Sequence, residues 1–241
     1  MSYEPTHHTL VALDIVGYGS RRNLLQVDLV ERIRETVKDA LGSSGVQAHW
    51  EDGGEGHLLI ASVDDRIRLV NVFVGELAWR LAEYNQVRTA EAHLRVRVAI
   101  DTGDVHRNTP MAGAGTVAVH RLIDAPEFKE IVKAEPHNVS VILSEQVYRS
   151  VVEQRYRQAD PDEYRQVAVE VKEYQGVGWV RLIGRSASPD DQRPVSPPPV
   201  RPGSGAASGV HIRTGDLRDN SGPISFGGNA YGGDVNYGGR S

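Results

Sequence analysis

The chain has 241 residues, of which 39% are hydrophobic and 24% charged, and its formal net charge is −5. These values are typical of a soluble globular protein and exclude the strongly basic field that attracts nucleic acid. The absence of cysteine excludes disulfides and thiolate metal sites and favours a reducing cytoplasm. No apolar run approaches the ~18 residues that cross a bilayer, and the N-terminal MSYEPTHH lacks the apolar region of a signal peptide. We therefore expect a cytoplasmic protein without a nucleic-acid or membrane partner.

Hydrophobic periodicity predicts alternating strands and helices as far as about residue 185. The predicted strands cover about residues 9–16, 46–50, 57–63, 94–100, 139–143, 166–171 and 179–182. The predicted helices cover about residues 26–41 and 65–84, a third includes 117–122, and a fourth begins at Ser144. The glycine-rich turn EDGGEG joins the second and third strands as a hairpin, and another turn is predicted at 101–103. The order βαββαβαβαββ predicts an α/β fold of the α+β sandwich type, in which helices pack on a mostly antiparallel sheet.

Composition changes sharply near residue 185. We predict a globular domain over 8–184, a Pro/Ser/Gly-rich disordered linker over 185–209 and a Gly-rich tail over 210–241. The tail is too short and too rich in glycine to form a core of its own. It is either a flexible segment or a β-forming tag that docks on an effector protein or self-associates. In the second case, the anchoring side chains are those of Phe226, Tyr231, Val235 and Tyr237.

Acidic residues lie at the ends of the first three predicted strands. Asp14 ends the apolar first strand, and Glu51, Asp52 and Glu55 crowd the hairpin turn. A carboxylate at the tip of a buried strand is poorly hydrated and needs a backbone donor, a cation or a metal as its partner. If the hairpin lies beside the first strand, Asp14 and Glu55 converge, and two oxygen ligands with positions open for phosphate suit Mg²⁺ or Mn²⁺. The spacing alone leaves a solvated acidic turn as the alternative.

Five segments resemble motifs of the class III nucleotide cyclases. ALDIVGYG resembles the first-strand motif of that family, and EDGGEGHLLIA resembles its metal-binding hairpin. LRVRVAIDTGDVH is similar to the strand that has a hydrophobic-Arg pattern and ends in a Thr-Gly turn. GAGTVAVHRLIDAP is similar to the Val-Asn-x-Ala-x-Arg helix, and VAVEVKEYQGVGWVRL to the closing hairpin. Order and spacing agree over residues 8–183, and the likeness is closest to an actinobacterial cyclase-like group with degenerate catalytic motifs. The resemblance implies a ferredoxin-like βαββαβ core with an extra C-terminal helix and β-hairpin.

The resemblance also implies a site for two divalent ions that holds the substrate triphosphate. Asp14 matches the first metal carboxylate, and Ile15, Gly17 and Tyr18 match the surrounding motif, whose backbone lies near the phosphates. Glu55 stands where the family has an Asp as the second carboxylate, and its side chain is one methylene longer. A Glu carboxylate can bind the same ion, but catalytic geometry tolerates displacements of only ~0.5 Å. Glu in place of Asp is therefore expected to lower the reaction rate more than the affinity for the metal.

Other matched positions concern the base and the transition state. Glu51 matches the purine-selecting residue, and its carboxylate accepts the hydrogen bonds that guanine offers, which favours GTP; a solvated turn residue is the alternative. The second base-contacting position falls near Pro110, whose side chain has no polar group. Arg121 matches the arginine that stabilises charge on the α-phosphate, with a surface helix cation as the alternative. Lys172 lies close to a position that reaches the triphosphate, and Val117 replaces the Asn that positions the ribose.

The resemblance implies a head-to-tail homodimer, in which Asp14 and Glu55 of one subunit face Arg121 of the other. It implies a domain that binds a nucleoside triphosphate with Mg²⁺ or Mn²⁺ and forms a 3′,5′-cyclic nucleotide, with activity lowered by the altered motifs. A lost positioning hydrogen bond, as at Val117, costs on the order of 10²-fold in rate. The alternative is a degenerate cyclase fold that acts as a dimerising or nucleotide-sensing module and contacts an effector protein through its tail.

Overall fold

A computed structural model describes residues 4–52, 56–106 and 113–185. Several predicted features lie outside the described residues: the hairpin turn with Glu55, the position of Pro110, the linker beyond Arg185, and the tail with Phe226, Tyr231, Val235 and Tyr237. The predicted domain boundaries and the two interpretations of the tail therefore stay predictions.

Within the residues that the structure describes, seven strands form one sheet. They are β1 (Thr6–Ile15), β2 (Ala48–Asp52), β3 (Gly56–Ser62), β4 (Val96–Val105), β5 (His137–Ser144), β6 (Arg165–Val171) and β7 (Tyr174–Arg185). Their order across the sheet is β2-β3-β1-β4-β5-β7-β6. β4 and β5 run parallel and the other neighbouring strands run antiparallel, which confirms the predicted α/β fold with a mostly antiparallel sheet. The apolar run of β1 thus becomes an interior strand between β3 and β4.

Helices pack on the sheet. They are α1 (Asn23–Ser44), α2 (Arg66–Arg68), α3 (Val74–Gln86), α4 (Ala114–Ile123), α5 (Pro126–Ala134) and α6 (Glu145–Val147). A π-helical stretch, Leu69–Phe73, joins α2 to α3, so the two form the single long helix that the periodicity predicts. A second π-helical stretch, Tyr148–Val152, continues α6. Within the described residues, none of these helices combines the length and apolar character that crossing a membrane requires.

The alternation of side chains along β1 separates two apolar cores. Val11, Leu13 and Ile15 belong to the larger core, beneath α1 and α3, on what we call the first face of the sheet. Leu10 and Ala12 belong to a smaller core beneath α4 and α5, on the second face. Because Asp14 follows Leu10 and Ala12 in the same alternation, it lies on the second face at the point where β1 ends.

Two elements differ from the sequence prediction. α5 is not predicted, although Pro126 in its first turn is a helix-start signal and Phe128 and Val132 bury one face of it. β4 continues through 101–103, where a turn is predicted, because its pairing with β1 extends as far as Val105. Gly103 serves close packing there: a Cβ on it would lie 2.6 Å from the Cα of Gly115 in α4.

Candidate functional site

A cavity of about 520 Å³ opens where β1 ends. It lies between the turn that follows β1, the start of β3 and the end of α4. Its polar wall includes Asp14, Gly17, Glu51, Arg97, His120 and Asp124. The pairing of β3 and β4 with β1 brings Gly56 and Arg97 to Asp14, and the packing of α4 adds His120 and Asp124.

Asp14 is bound by Arg97, which lies directly opposite it on β4. Arg97 Nε donates to Asp14 Oδ1 at 2.8 Å, and Arg97 Nη2 donates to Asp14 Oδ2. The two side chains are 21% and 15% exposed. Burial raises the pKa of Asp14 above its ordinary value, and Arg97 opposes this shift without cancelling it. The partner that a carboxylate at this strand end requires is thus a guanidinium of the same chain.

The two other described carboxylates of the cavity wall also have partners. Glu51 Oε1 lies 2.6 Å from His49 Nε2, and Asp124 Oδ1 lies 2.8 Å from Lys129 Nζ. Asp124 is close enough to Asp14 to raise the pKa of that group further. In the part of the chain that the structure describes, no cluster of three or more His, Asp or Glu side chains is placed to hold a metal.

The turn after β1 contributes mainly backbone to the cavity. Gly17 has φ 71° and ψ 22°, a left-handed conformation that glycine adopts without strain, and its carbonyl accepts a hydrogen bond from Ser20 Oγ at 2.8 Å. The carbonyl of Tyr18 accepts a hydrogen bond from Gln26 Nε2 at 3.1 Å, which ties this turn to α1. The side chain of Ile15 is buried in the larger core, so this residue offers the cavity its backbone.

Arg121 and Lys172 do not line this cavity. Arg121 Nη2 donates instead to Glu173 Oε1 at 3.1 Å, in the turn between β6 and β7. Lys172 is exposed in the same turn, with a φ of 53°. Val117 lies one helical turn before Arg121 and is 47% exposed. Within one chain, the structure groups Asp14 with Glu51 and the β1–α1 turn, and directs Arg121 elsewhere.

Glu55 and Pro110 lie outside the described residues, so their predicted roles stay predictions. Gly56, the neighbour of Glu55 in sequence, lies opposite Asp14 in the β1–β3 register and lines the cavity. The hairpin therefore lies beside β1, which was the condition for Asp14 and Glu55 to converge.

Solved nucleotide cyclases share this architecture. The guanylyl cyclase Cya2 matches with a TM-score of 0.53 and 17% identity, over 77% of this chain and 96% of that one. An adenylate/guanylate cyclase/hydrolase from Silicibacter pomeroyi matches with a TM-score of 0.55 and 16% identity, over 74% of this chain and 98% of that one. This chain has the class III nucleotide cyclase fold.

The predicted resemblance is thereby confirmed at the level of fold. TM-scores of 0.53 and 0.55 support a shared fold, whereas identities of 17% and 16% do not transfer an activity. No protein-family model and no curated protein matches the chain. The roles of individual residues in this cyclase fold must therefore be argued from their own geometry.

Three residues of the cavity are not singled out from the sequence: Arg97, His120 and Asp124. Arg97 alternates with the buried Val96 and Val98, and this alternation is the signal that it leaves the core side of β4. Burial lowers the pKa of His120, and Asp124 opposes that shift. His120 Nε2 is buried and makes no hydrogen bond to any described residue. Burial at this position thus favours the uncharged form of the His120 imidazole in the cavity wall.

Proposed function

We propose that this chain is a cyclase-homology domain that binds a nucleoside triphosphate with Mg²⁺ or Mn²⁺ and forms a 3′,5′-cyclic nucleotide and pyrophosphate. The observation that supports the proposal most is the position of Asp14. It ends an interior strand of a cyclase fold, lines a cavity beside a glycine turn, and lies opposite the residue that follows Glu55. The reaction would make the protein a phosphorus–oxygen lyase.

The donor groups at this end of the sheet fit a divalent ion that arrives with a triphosphate. Mg²⁺ is usually bound through one or two carboxylates and completes its shell with phosphate oxygens and water. Asp14 and Glu55 would hold it, and the bound ion would acidify the ribose 3′-hydroxyl and neutralise phosphate charge. For this, Asp14 must exchange Arg97 for the ion, because Arg97 occupies both of its oxygens.

The other groups bind and orient the substrate. Backbone N–H groups of the turn that begins at Gly17 approach the phosphates, as in other backbone anion sites. Glu51 accepts hydrogen bonds from the N1–H and amino group of guanine, which makes GTP the favoured nucleotide. Lys172, on the exposed β6–β7 turn, supplies a further cation to the triphosphate.

The proposed site needs a second copy of the chain. Arg121 does not line the cavity of its own chain, while α4 presents the half-exposed Val117 one turn before it. In a head-to-tail homodimer, Arg121 of one subunit stabilises the charge that grows on the α-phosphate held by the other. The ribose 3′ oxygen, having lost its proton, forms a bond to the α-phosphorus as the bond to the pyrophosphate oxygen breaks.

Chromatography of nucleotide products tests this proposal. Purified protein is incubated with each nucleoside triphosphate and Mn²⁺ or Mg²⁺, and the expected main products are cyclic GMP and pyrophosphate, formed from GTP. Asp14→Asn and Arg121→Ala should each lower turnover by about 10²-fold or more. Asp39→Asn is a matched control, because Asp39 is 66% exposed and pairs with Arg80 far from this chemistry. No product, with no loss on changing Asp14, rejects the enzyme.

Mixing the two inactive variants tests the shared site. A heterodimer of Asp14→Asn with Arg121→Ala contains one site with both changes and one intact site. Random pairing therefore restores about a quarter of the wild-type sites. Two variants that stay inactive when mixed and refolded together would argue against a site shared between subunits.

A second function is favoured by two observations. Val117 can neither donate nor accept a hydrogen bond, and the resting Asp14 is already neutralised by Arg97. Both fit a degenerate cyclase fold that acts as a dimerising or nucleotide-sensing module, with the tail contacting an effector protein. Stabilisation of the protein by a nucleotide in a thermal-shift scan, without turnover, would favour this function.

A further inference from the structure

We propose that Arg97 couples cation binding to nucleotide binding. In the protein without ligands, the guanidinium of Arg97 is hydrogen-bonded to the carboxylate of Asp14. A divalent ion therefore binds Asp14 only when a triphosphate is also present and binds the guanidinium in place of Asp14. This inference rests on the proposed function and adds to it an order of binding, in which the ion and the nucleotide depend on each other.

The Asp14–Arg97 pair is built into the sheet. The register places the two residues directly opposite each other on β1 and β4, so neither needs a particular loop conformation to meet the other. Both carboxylate oxygens are engaged, in the bidentate arrangement that makes an Arg–carboxylate pair strong and geometrically defined. Removing either partner would leave a charge of low exposure without compensation.

Each of the three described carboxylates in the cavity wall already has a partner on at least one oxygen, and only Asp14 is engaged through both. Asp14 is held by Arg97, and the other acidic side chains, Glu51 and Asp124, lie within 2.6 and 2.8 Å of His49 and Lys129. An ion approaching Asp14 also meets the positive charge of the guanidinium at the same oxygens. Among the described residues, Arg97 forms no other ion pair, so losing Asp14 would leave it uncompensated.

A triphosphate removes both obstacles at once. Its oxygens match the planar fork of a guanidinium, which often binds phosphate through two parallel hydrogen bonds. The same phosphate chain supplies ligands that complete the shell of the ion. After the exchange, Asp14 faces the ion and Arg97 faces phosphate, so every charge remains paired. By linkage, the ion must tighten nucleotide binding by the same factor as the nucleotide tightens ion binding.

Titration of the full chain with Mn²⁺ tests this coupling, with the concentration of free Mn²⁺ measured by electron paramagnetic resonance at each step. It is done with and without α,β-methylene GTP, after subtracting the Mn²⁺ that the analogue binds in buffer. We expect the analogue to tighten Mn²⁺ binding by about tenfold or more, within the usual coupling range of roughly 5–150-fold. Arg97→Gln should bind Mn²⁺ alone more tightly than wild type and should bring the coupling factor close to one. Arg97→Lys keeps the charge without the fork and should give an intermediate factor.

Two control variants separate the alternatives, and thermal unfolding establishes that each variant is folded. Asp14→Asn should abolish Mn²⁺ binding at this site with or without the analogue. Arg181→Gln removes an arginine of similar exposure, 23%, from its pair with Glu163 and should keep the wild-type coupling. The inference is overturned if wild type binds Mn²⁺ equally with and without a bound analogue, or if Arg97→Gln retains the full coupling.

Failure of the proposed function gives a different result. If the analogue does not bind to wild type at all, the nucleotide function fails, but the measurement with Mn²⁺ alone still decides the role of Arg97. Arg97→Gln must then bind Mn²⁺ more tightly than wild type. Equal affinities of the two proteins would show that the guanidinium does not exclude the ion.

Discussion

The two faces of the sheet are built from the same strands and differ in what they hold. On the first face, Leu13 and Val98 belong to a large apolar core beneath α1 and α3. On the second face, the apolar cluster beneath α4 and α5 is smaller, and at the end of β1 it gives way to Asp14 and Arg97. One step along β1 or β4 therefore separates a core side chain from a cavity side chain.

This difference shows how one strand serves both stability and a polar site. Because successive side chains point to opposite faces, β1 can be apolar towards the first core up to Ile15 while it presents a carboxylate on the other side. A buried ion pair stabilises a fold little, and often less than apolar residues of the same volume would. We therefore expect substitutions on the first face to change stability, and those on the second face to change the cavity as well.

Two phenylalanines give the largest effects and compare the faces directly. Phe73 lies in the first core and Phe128 in the second, and both are 0% exposed. Replacing either by Ala should lower the free energy of unfolding by about 3–5 kcal/mol, because the cavity left behind is only partly filled. Urea unfolding followed by circular dichroism measures this. Only Phe128→Ala should also weaken nucleotide binding to the folded protein, because Phe128 belongs to the same apolar core as Ile123, which lines the cavity.

Equal losses of nucleotide affinity in Phe73→Ala and Phe128→Ala would contradict the expectation that only the second face affects the cavity. Thermal-shift titration of each folded variant with the GTP analogue distinguishes the two outcomes. Both variants are compared without urea and at a starting temperature at which each is fully folded. Otherwise a loss of folded protein in both variants would imitate a loss of binding in both.

A pH-dependent contribution is expected from His57. This side chain is 1% exposed, its ring centroid lies 5.0 Å from that of Trp50, and burial, with Arg34, lowers its pKa from 6.5 to about 4. The native state therefore keeps the imidazole neutral while the unfolded state takes up a proton below about pH 6.5. The associated stability is complete above that pH and is lost as pH falls towards 4, by at most about 3 kcal/mol.

Urea unfolding at pH 7, 6 and 5 measures the His57 effect. His57→Gln carries no titratable group and should show a smaller loss of stability over this interval than wild type. Parallel pH profiles for the two proteins would mean that other groups cause the acid sensitivity.

The close approach of α4 to β4 allows a smaller change on the second face. A Cβ on Gly115 would lie 2.9 Å from the Cα of Gly103 and 2.9 Å from Leu10 Cδ1. Gly115→Ala should therefore push α4 away from the sheet, cost about 1–3 kcal/mol and weaken nucleotide binding through Asp124. Gly75→Ala in α3 is the matched control: nothing lies within 4 Å of its added Cβ, so stability should rise slightly. Thermal unfolding and analogue titration of both variants check this, and equal effects would disprove the crowding argument.

Most of the fold can be predicted from the sequence because long apolar runs alternate with helical periodicity. The prediction misses α5, whose nine residues give the periodicity little length to develop. It places a turn at 101–103, because Thr-Gly is a turn signal, whereas pairing with β1 keeps these residues in β4. Local signals thus fail where a neighbouring strand decides the conformation.

The candidate site can be predicted only in part for the same reason. Asp14 is recognisable as a carboxylate that follows a buried strand and therefore needs a partner. The identity of the partner depends on register: Arg97 is 83 residues away in sequence and meets Asp14 only because β1 and β4 pair in one particular alignment. Asp124 enters the same wall through the packing of α4, which no local pattern encodes.

The smallest effect is expected from releasing Arg121 from its contact with Glu173 of the same chain. In the proposed function, Arg121 instead acts on the substrate bound by the partner subunit. Its bond to Glu173 is 3.1 Å long, but Glu173 is 72% exposed, so the pair is screened by solvent and holds Arg121 weakly. Glu173→Gln should leave the urea midpoint unchanged and should raise turnover modestly, because Arg121 is then free to face the α-phosphate. Adding salt to a buffer of low ionic strength should likewise raise the turnover of wild type, because salt screens the Arg121–Glu173 pair. The same addition should have less effect on Glu173→Gln. If turnover falls in Glu173→Gln, Glu173 orients Arg121 for catalysis and does not compete with the α-phosphate for its guanidinium. The β6–β7 turn would then belong to the catalytic part of the second face, together with the cavity.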